Sequence, residues 1–246
     1  MFILLLLCLF VVTLDAKIVE HQYMQEIEAY VTHSDETLVI FDIDNTLIEP
    51  DNWIGGPIWF DHIIRTKMKD EGLTYRQAEA AAVQLLAKVI TQVNFVPVEQ
   101  NTVLFIELCK KSGTRVIALT ARSTMLADHT HETLLNVGMC FSDHTFITPA
   151  VRIHEKYHHH HGIIFCSGMC KGVALVHALK EHCYNPKRII CIDDCLRHLI
   201  AIEKQLAQEF PDIEFIGIRY SHLDYKKALF DPISAEKELQ KLLATS

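Results

Sequence analysis

Four short, unbroken apolar runs narrow the fold of this chain more than any other feature: Leu38-Val39-Ile40-Phe41, Val116-Ile117-Ala118-Leu119, Ile189-Ile190-Cys191-Ile192 and Phe215-Ile216-Gly217-Ile218. Runs this continuous and this rich in β-branched residues suit strands covered on both faces, as in a parallel sheet. Ile163-Ile164-Phe165-Cys166 reads as a fifth. Between the runs lie helical periodicities over 99–111, closed by Ser112-Gly113, over 124–137, closed by Gly138, and over 172–182 and 196–209. Alternation of buried strands with helices predicts an α/β fold, a Rossmann-like parallel sheet flanked by helices. At 246 residues, 50% of them hydrophobic, the chain suits one large domain carrying an insertion better than two independent domains.

The insertion is expected directly after the first of these strands. Residues 48–96 break the alternation with the aromatic loop Trp53-Ile54-Gly55-Gly56-Pro57-Ile58-Trp59 and a strongly helical stretch over 75–91, which together read as a small helical cap. The α/β core then comprises 17–47 and 97–246. A second irregular region, 141–161, ends in Tyr157 and the four histidines His158 to His161. With His154 these could bind a transition metal or tune activity with pH, although a mobile histidine-rich surface loop is the commoner case.

Residues 2–14 form an apolar run whose one polar member is Thr13. It is too short to span a bilayer comfortably and has the length of a signal-peptide core, with Ala16 as a small residue before cleavage. No Lys or Arg precedes it, and Leu14 occupies a position where a small residue is preferred. The expectation is that 1–16 is a signal or anchor segment and that the protein is exported, periplasmic or secreted. Membrane contact is expected through this segment alone, with a membrane-tethered or cytoplasmic protein as the alternative. The balance of 23 Lys and Arg against 31 Asp and Glu argues against a nucleic-acid partner. Fifteen histidines would turn the net charge positive in mild acid. Beyond Cys8 seven cysteines remain, without the paired Cys-x-x-Cys spacing of a structural zinc site. Cys166 and Cys170 could pair across a loop, whereas Cys191 reads as a small core residue.

Chemistry is carried by the way three strands end. The first ends in Asp42-Ile43-Asp44-Asn45-Thr46, the second in Thr120-Ala121-Arg122, and a third in Asp193-Asp194. Ligands of open parallel sheets bind outside the carboxyl ends of the strands, so these groups are expected at one site. Lys171 opens the helix preceding the Asp193-Asp194 strand. Carboxylates gathered in one place repel each other and call for a cation, and Mg²⁺ suits oxygen ligands.

With these four motifs in this order, the sequence resembles the haloacid dehalogenase superfamily over roughly residues 38–220. Asp-x-Asp-x-Thr at Asp42, Asp44 and Thr46 is its first signature, followed by Thr120, Lys171 and the pair Asp193-Asp194. It is also similar to a poorly characterised bacterial group with exported members. The resemblance implies a Mg²⁺-dependent phosphomonoester hydrolase acting on a small phosphorylated substrate. Asp42 would be the nucleophile, Asp44 the acid and then the base, and Thr120 and Lys171 the holders of the phosphoryl oxygens. The ion would sit among the Asp42 carboxylate, the Asp44 carbonyl and the acidic pair, with Asp194 the direct ligand and Asp193 its support. Thr46 and Arg122 are candidate substrate-binding residues, Arg122 weighed evenly against a surface salt bridge. Trp53 and Trp59 are candidate substrate walls, weighed against core packing. His198 stands where related sequences often carry Asn or Asp to orient the metal shell. Asp44 argues against a dehalogenase, which has no leaving oxygen to protonate. A phosphotransferase, or a non-catalytic exported binding protein on the same scaffold, stays open.

Overall fold

The structure is a computed structural model and describes residues 17–31, 34–147 and 157–244. The expected signal or anchor segment, Cys8 and His154 lie outside the described residues. Among those described, no helix is long and apolar enough to cross a membrane.

The strands in chain order are β1 (Lys17–His21), β2 (Thr37–Phe41), β3 (Ile48–Pro50), β4 (Phe95–Pro97), β5 (Arg115–Thr120), β6 (His158–His160), β7 (Ile163–Phe165), β8 (Arg188–Asp193) and β9 (Glu214–Tyr220). The helices are α1 (Met24–Ile27), α2 (Pro57–Asp70), α3 (Tyr75–Val89), α4 (Asn101–Lys111), α5 (Ala127–Asn136), α6 (Lys171–Glu181), α7 (Leu196–Glu209), α8 (Asp224–Leu229) and α9 (Pro232–Ala244). Seven strands form one sheet in the order β1-β9-β8-β2-β5-β7-β6. All its pairings are parallel except that of the edge strand β6 with β7. The fold is therefore α/β with a mostly parallel central sheet flanked by helices.

Alternation along each strand divides the apolar residues between two cores. Val39 and Phe41 of β2 join Ile190, Ile192, Val116 and Ala118 on one face, beneath α1, α4, α5 and the inserted helices. Leu38 and Ile40 join Ile189, Cys191, Ile117 and Leu119 on the other, beneath α6 and α7. Burial on both faces is the reason these strands read as unbroken apolar runs. α6 and α7 approach closely at Gly172, where a Cβ would fall 2.4 Å from the Ala201 carbonyl oxygen. That closeness seats the start of α6 against α7.

The apolar run 38–41 lies in the second strand of the chain. β1 precedes it, an edge strand paired with β9, and its sequence Lys-Ile-Val-Glu-His is too short and too charged to resemble a buried run. The fifth run loses Cys166, since β7 ends at Phe165. The insertion holds the antiparallel ribbon β3–β4, which runs one residue past the expected boundary to Pro97, and the helices α2 and α3 between its strands. Part of the aromatic loop is helix, because Pro57 opens α2 and Trp59 lies within it. α8 and α9 follow the last sheet strand, and α9 packs against α2 and α3.

Candidate functional site

The sheet order changes direction around β2: from β2 the chain moves outward to β5 and β7, then returns to β8 on the opposite side. A crevice forms where neighbouring connections diverge, outside the carboxyl ends of the strands. Asp42 follows β2 directly and its amide donates to the Ile192 carbonyl of β8 at 2.8 Å. Asp193 ends β8, Thr120 ends β5, and Lys171 is the first residue of α6.

Lys171 Nζ donates to Asp42 Oδ1 at 2.5 Å and to Asp193 Oδ2 at 2.6 Å, with all three side chains buried. Oxygens of Asp42, Asp193 and Asp194 lie within 4.8 Å of one another. Asp193 also accepts from the Cys195 amide at 2.8 Å, and His198 Nδ1 lies 3.2 Å from both its oxygens. His198 thus braces Asp193. Asp194 is the more accessible of the pair and accepts from Asn45 Nδ2 at 3.2 Å. Asn45 sits at φ 60°, a left-handed conformation that Asn tolerates, within the tight turn that follows Asp42.

Electrostatics follow from this crowding. Burial, with repulsion from Asp193, Asp194 and Asp44, pushes Asp42 well above the usual carboxylate range against the pull of Lys171. Burial pushes Asp193 up as well, but Lys171 and His198 overcome it and hold Asp193 low. Asp194 is raised by burial and by its neighbour Asp193. Burial acts to lower Lys171, and the two carboxylates beside it outweigh that and keep it charged. One ammonium faces three carboxyl groups, so without a further cation Asp42 and Asp194 are pushed toward their neutral forms. Its oxygen donors fit a hard divalent cation such as Mg²⁺.

Asp44 stands apart from this cluster. Its carboxylate receives both arms of the Arg122 guanidinium, Nε at 2.9 Å and Nη2 at 2.8 Å. Arg122 is buried, donates through Nη1 to Thr130 Oγ1 at 3.1 Å and lies over the Phe95 ring. The Arg122 partner is therefore the acidic residue two positions beyond Asp42, and the contact is interior. Thr120 Oγ1 accepts from the Arg122 amide at 3.1 Å, which fixes the turn leaving β5. Thr46 is buried, and among the described residues its hydroxyl has no partner.

A cavity of about 400 Å³ opens beside this site, lined by Asn45, Glu49, Trp53, Trp59, Tyr225 and Lys226 among others. Trp53 and Trp59 border the cavity, whose lining does not include Asp42, Asp193 or Asp194. Trp59 is 1% exposed, so it is chiefly a core residue, and Trp53 packs edge-on against Phe230. No local motif marks the cavity's α8 and α9 residues or the Lys226 to Glu49 ion pair, because the recognisable motifs stop before α8. Thr130 was equally hidden. Pro57 directly after two glycines, followed by Trp59, Ile63 and Ile64 on one face, was a readable sign of α2.

Two further expectations are corrected. His158 to His160 form the edge strand β6 rather than a loop, because alternation buries His159 against the sheet. Cys166 and Cys170 do not pair: Cys166 is buried behind β7, Cys170 is exposed, and every cysteine among the described residues is a free thiol.

No curated protein matches the chain. A family model matches residues 20–245, which take in the sheet from the end of β1 onward, the inserted helices and every residue of the site, and the chain belongs to that family, described as Protein of unknown function (DUF2608).

Proposed function

We propose that the protein is a Mg²⁺-dependent phosphomonoester hydrolase of the haloacid dehalogenase type, working through an aspartyl phosphate on Asp42. The observation that carries this reading is the meeting of Asp42, Thr120, Lys171 and Asp193-Asp194 at the carboxyl ends of three adjacent strands. A structural ion pair needs one carboxylate beside Lys171. Three carboxylates there, close to a cavity, suit a site that receives a cation and an anionic group.

In the first half-reaction an oxygen of Asp42 attacks phosphorus, the bond to the leaving oxygen breaks, and Asp44 gives that oxygen its proton. In the second, Asp44 takes a proton from water, the water oxygen attacks the same phosphorus, and release of inorganic phosphate restores Asp42. Lys171 offsets charge on Asp42 and the phosphoryl oxygens, and Thr120 holds the turn on which they rest. Asp42, Asp193 and Asp194 would hold the divalent ion, which when bound supplies the positive charge that lets an anionic nucleophile meet an anionic substrate. The cavity beside Asn45 receives the leaving group, a modest one given its volume of about 400 Å³.

The test is release of inorganic phosphate from sugar phosphates, nucleotides and aryl phosphates with and without Mg²⁺. Turnover is expected to require Mg²⁺ and to vanish in Asp42→Asn with the fold retained by circular dichroism. Substantial Mg²⁺-dependent turnover in that variant would remove Asp42 as the nucleophile. Silence of the wild type across the panel, with Mg²⁺ binding demonstrated, would overturn the assignment of a small-molecule phosphatase.

A further inference from the structure

The histidines at the far edge of the sheet meet side chains from a different element. In β6, His158 and His160 point away from the core while His159 points in. The chain then turns through His161 at φ 48° and Gly162 at φ 77°, the backbone of a two-residue hairpin turn. A Cβ on Gly162 would fall 2.1 Å from the Phe141 carbonyl oxygen, so this turn is seated tightly on the chain that follows α5. α5 supplies His131 and Asp128. The ring centres of His131 and His161 are 4.0 Å apart, those of His160 and His161 4.4 Å, and those of His131 and His160 5.5 Å. Asp128 Oδ1 lies 3.1 Å from His160 Nε2.

From this convergence we infer that His131, His160, His161 and Asp128 form a binding site for an imidazole-preferring transition-metal dication such as Zn²⁺. Nitrogen–zinc bonds of about 2.0–2.1 Å place the ring centres of imidazoles around a tetrahedral ion about 5 Å apart. The three observed separations bracket that value, while the ring nitrogens as they stand are not all within 4.8 Å of one another, so the imidazoles must rotate to converge on an ion. A carboxylate against the third imidazole completes a four-ligand set. Left-handed backbone suits Gly or Asn better than His, so His161 carries a conformational cost that a ligand role would explain. The ion would clasp the sheet's edge strand to α5, which closes an otherwise open edge. The site is separate from the acidic cluster: β5 and β7 stand between β6 and β2, a distance of about 14 Å at strand spacing.

The test is calorimetric titration of the folded chain with Zn²⁺ in excess Mg²⁺, so that the acidic cluster does not compete and no catalytic activity is read. One Zn²⁺ per chain is expected, with a rise in melting temperature. His131→Ala and His161→Asn should each weaken binding by at least about tenfold, the second keeping a residue suited to the turn. Circular dichroism establishes that each variant is folded, and Asp128→Asn is the fallback if His131→Ala is not. Wild-type affinity in folded His131→Ala or Asp128→Asn would overturn the site, since the run of histidines would then bind without α5. Equal affinity of the wild-type chain unfolded in urea would overturn it as well.

Discussion

His159 should make the fold acid-labile by a calculable amount. It is 4% exposed, and among the described residues neither ring nitrogen has a hydrogen-bond partner. Burial, with His182 and His158 nearby, lowers it from 6.5 to about 3. In the unfolded chain the imidazole titrates near its ordinary value, so below that pH the unfolded state binds a proton that the folded state refuses. Stability therefore falls as pH drops below about 6.5 and continues to fall until about 3. Between pH 7.5 and 5 this single group costs about 2 kcal/mol, and the whole descent about 5 kcal/mol. His159→Leu keeps an apolar side chain in the same interior position and removes the titration. Urea unfolding of both proteins at pH 7.5 and 5 should show the variant losing about 2 kcal/mol less on acidification, equivalent to roughly 4–8 °C in melting temperature for a chain of this size. Equal losses in the two proteins would refute the reasoning, because they would mean that His159 accepts its proton in the folded state.

Three further outcomes are expected. Lys171→Met leaves Asp42 and Asp193 buried without their ammonium and should cost about 3–5 kcal/mol by urea unfolding, with part of the loss recovered in Mg²⁺; a loss below about 1 kcal/mol would contradict the buried geometry. Arg122→Lys breaks the two-armed grip on Asp44 and should lower kcat about 10–100-fold on alkyl phosphates but much less on aryl phosphates, whose leaving oxygen needs no proton; equal losses on both classes would disconnect Arg122 from proton transfer. Gly172→Ala pushes a methyl group against the Ala201 carbonyl and should destabilise by about 1–3 kcal/mol in thermal melts, and an unchanged melting temperature would show that α6 and α7 are not so closely packed.

The sequence by itself determined the α/β class, five of the seven sheet strands and the strand ends that bear Asp42, Thr120 and Asp193. It did so because burial on both faces leaves a continuous apolar run, and because a change from that run to Asp or Thr marks where a strand reaches the site. It also marked Lys171 at a helix start. Local pattern carries no such signal for an edge strand. β1 holds only two apolar residues, Ile18 and Val19, between charged and polar ones, and β6 is made of three histidines, so neither carries the signature of a buried strand. α9 is amphipathic, but nothing in its own residues says that it docks on the inserted helices.

Tertiary structure alone decided the pairings. Arg122 and Asp44 are 78 positions apart, Asn45 and Asp194 are 149 apart, and His131 meets His161 across an intervening strand turn. Spacing along the chain cannot specify such partners, because they are set by the order in which strands enter the sheet. Strand order is in turn fixed by packing α4 and α5 on one face and α6 and α7 on the other, a global balance of burial that no single segment encodes.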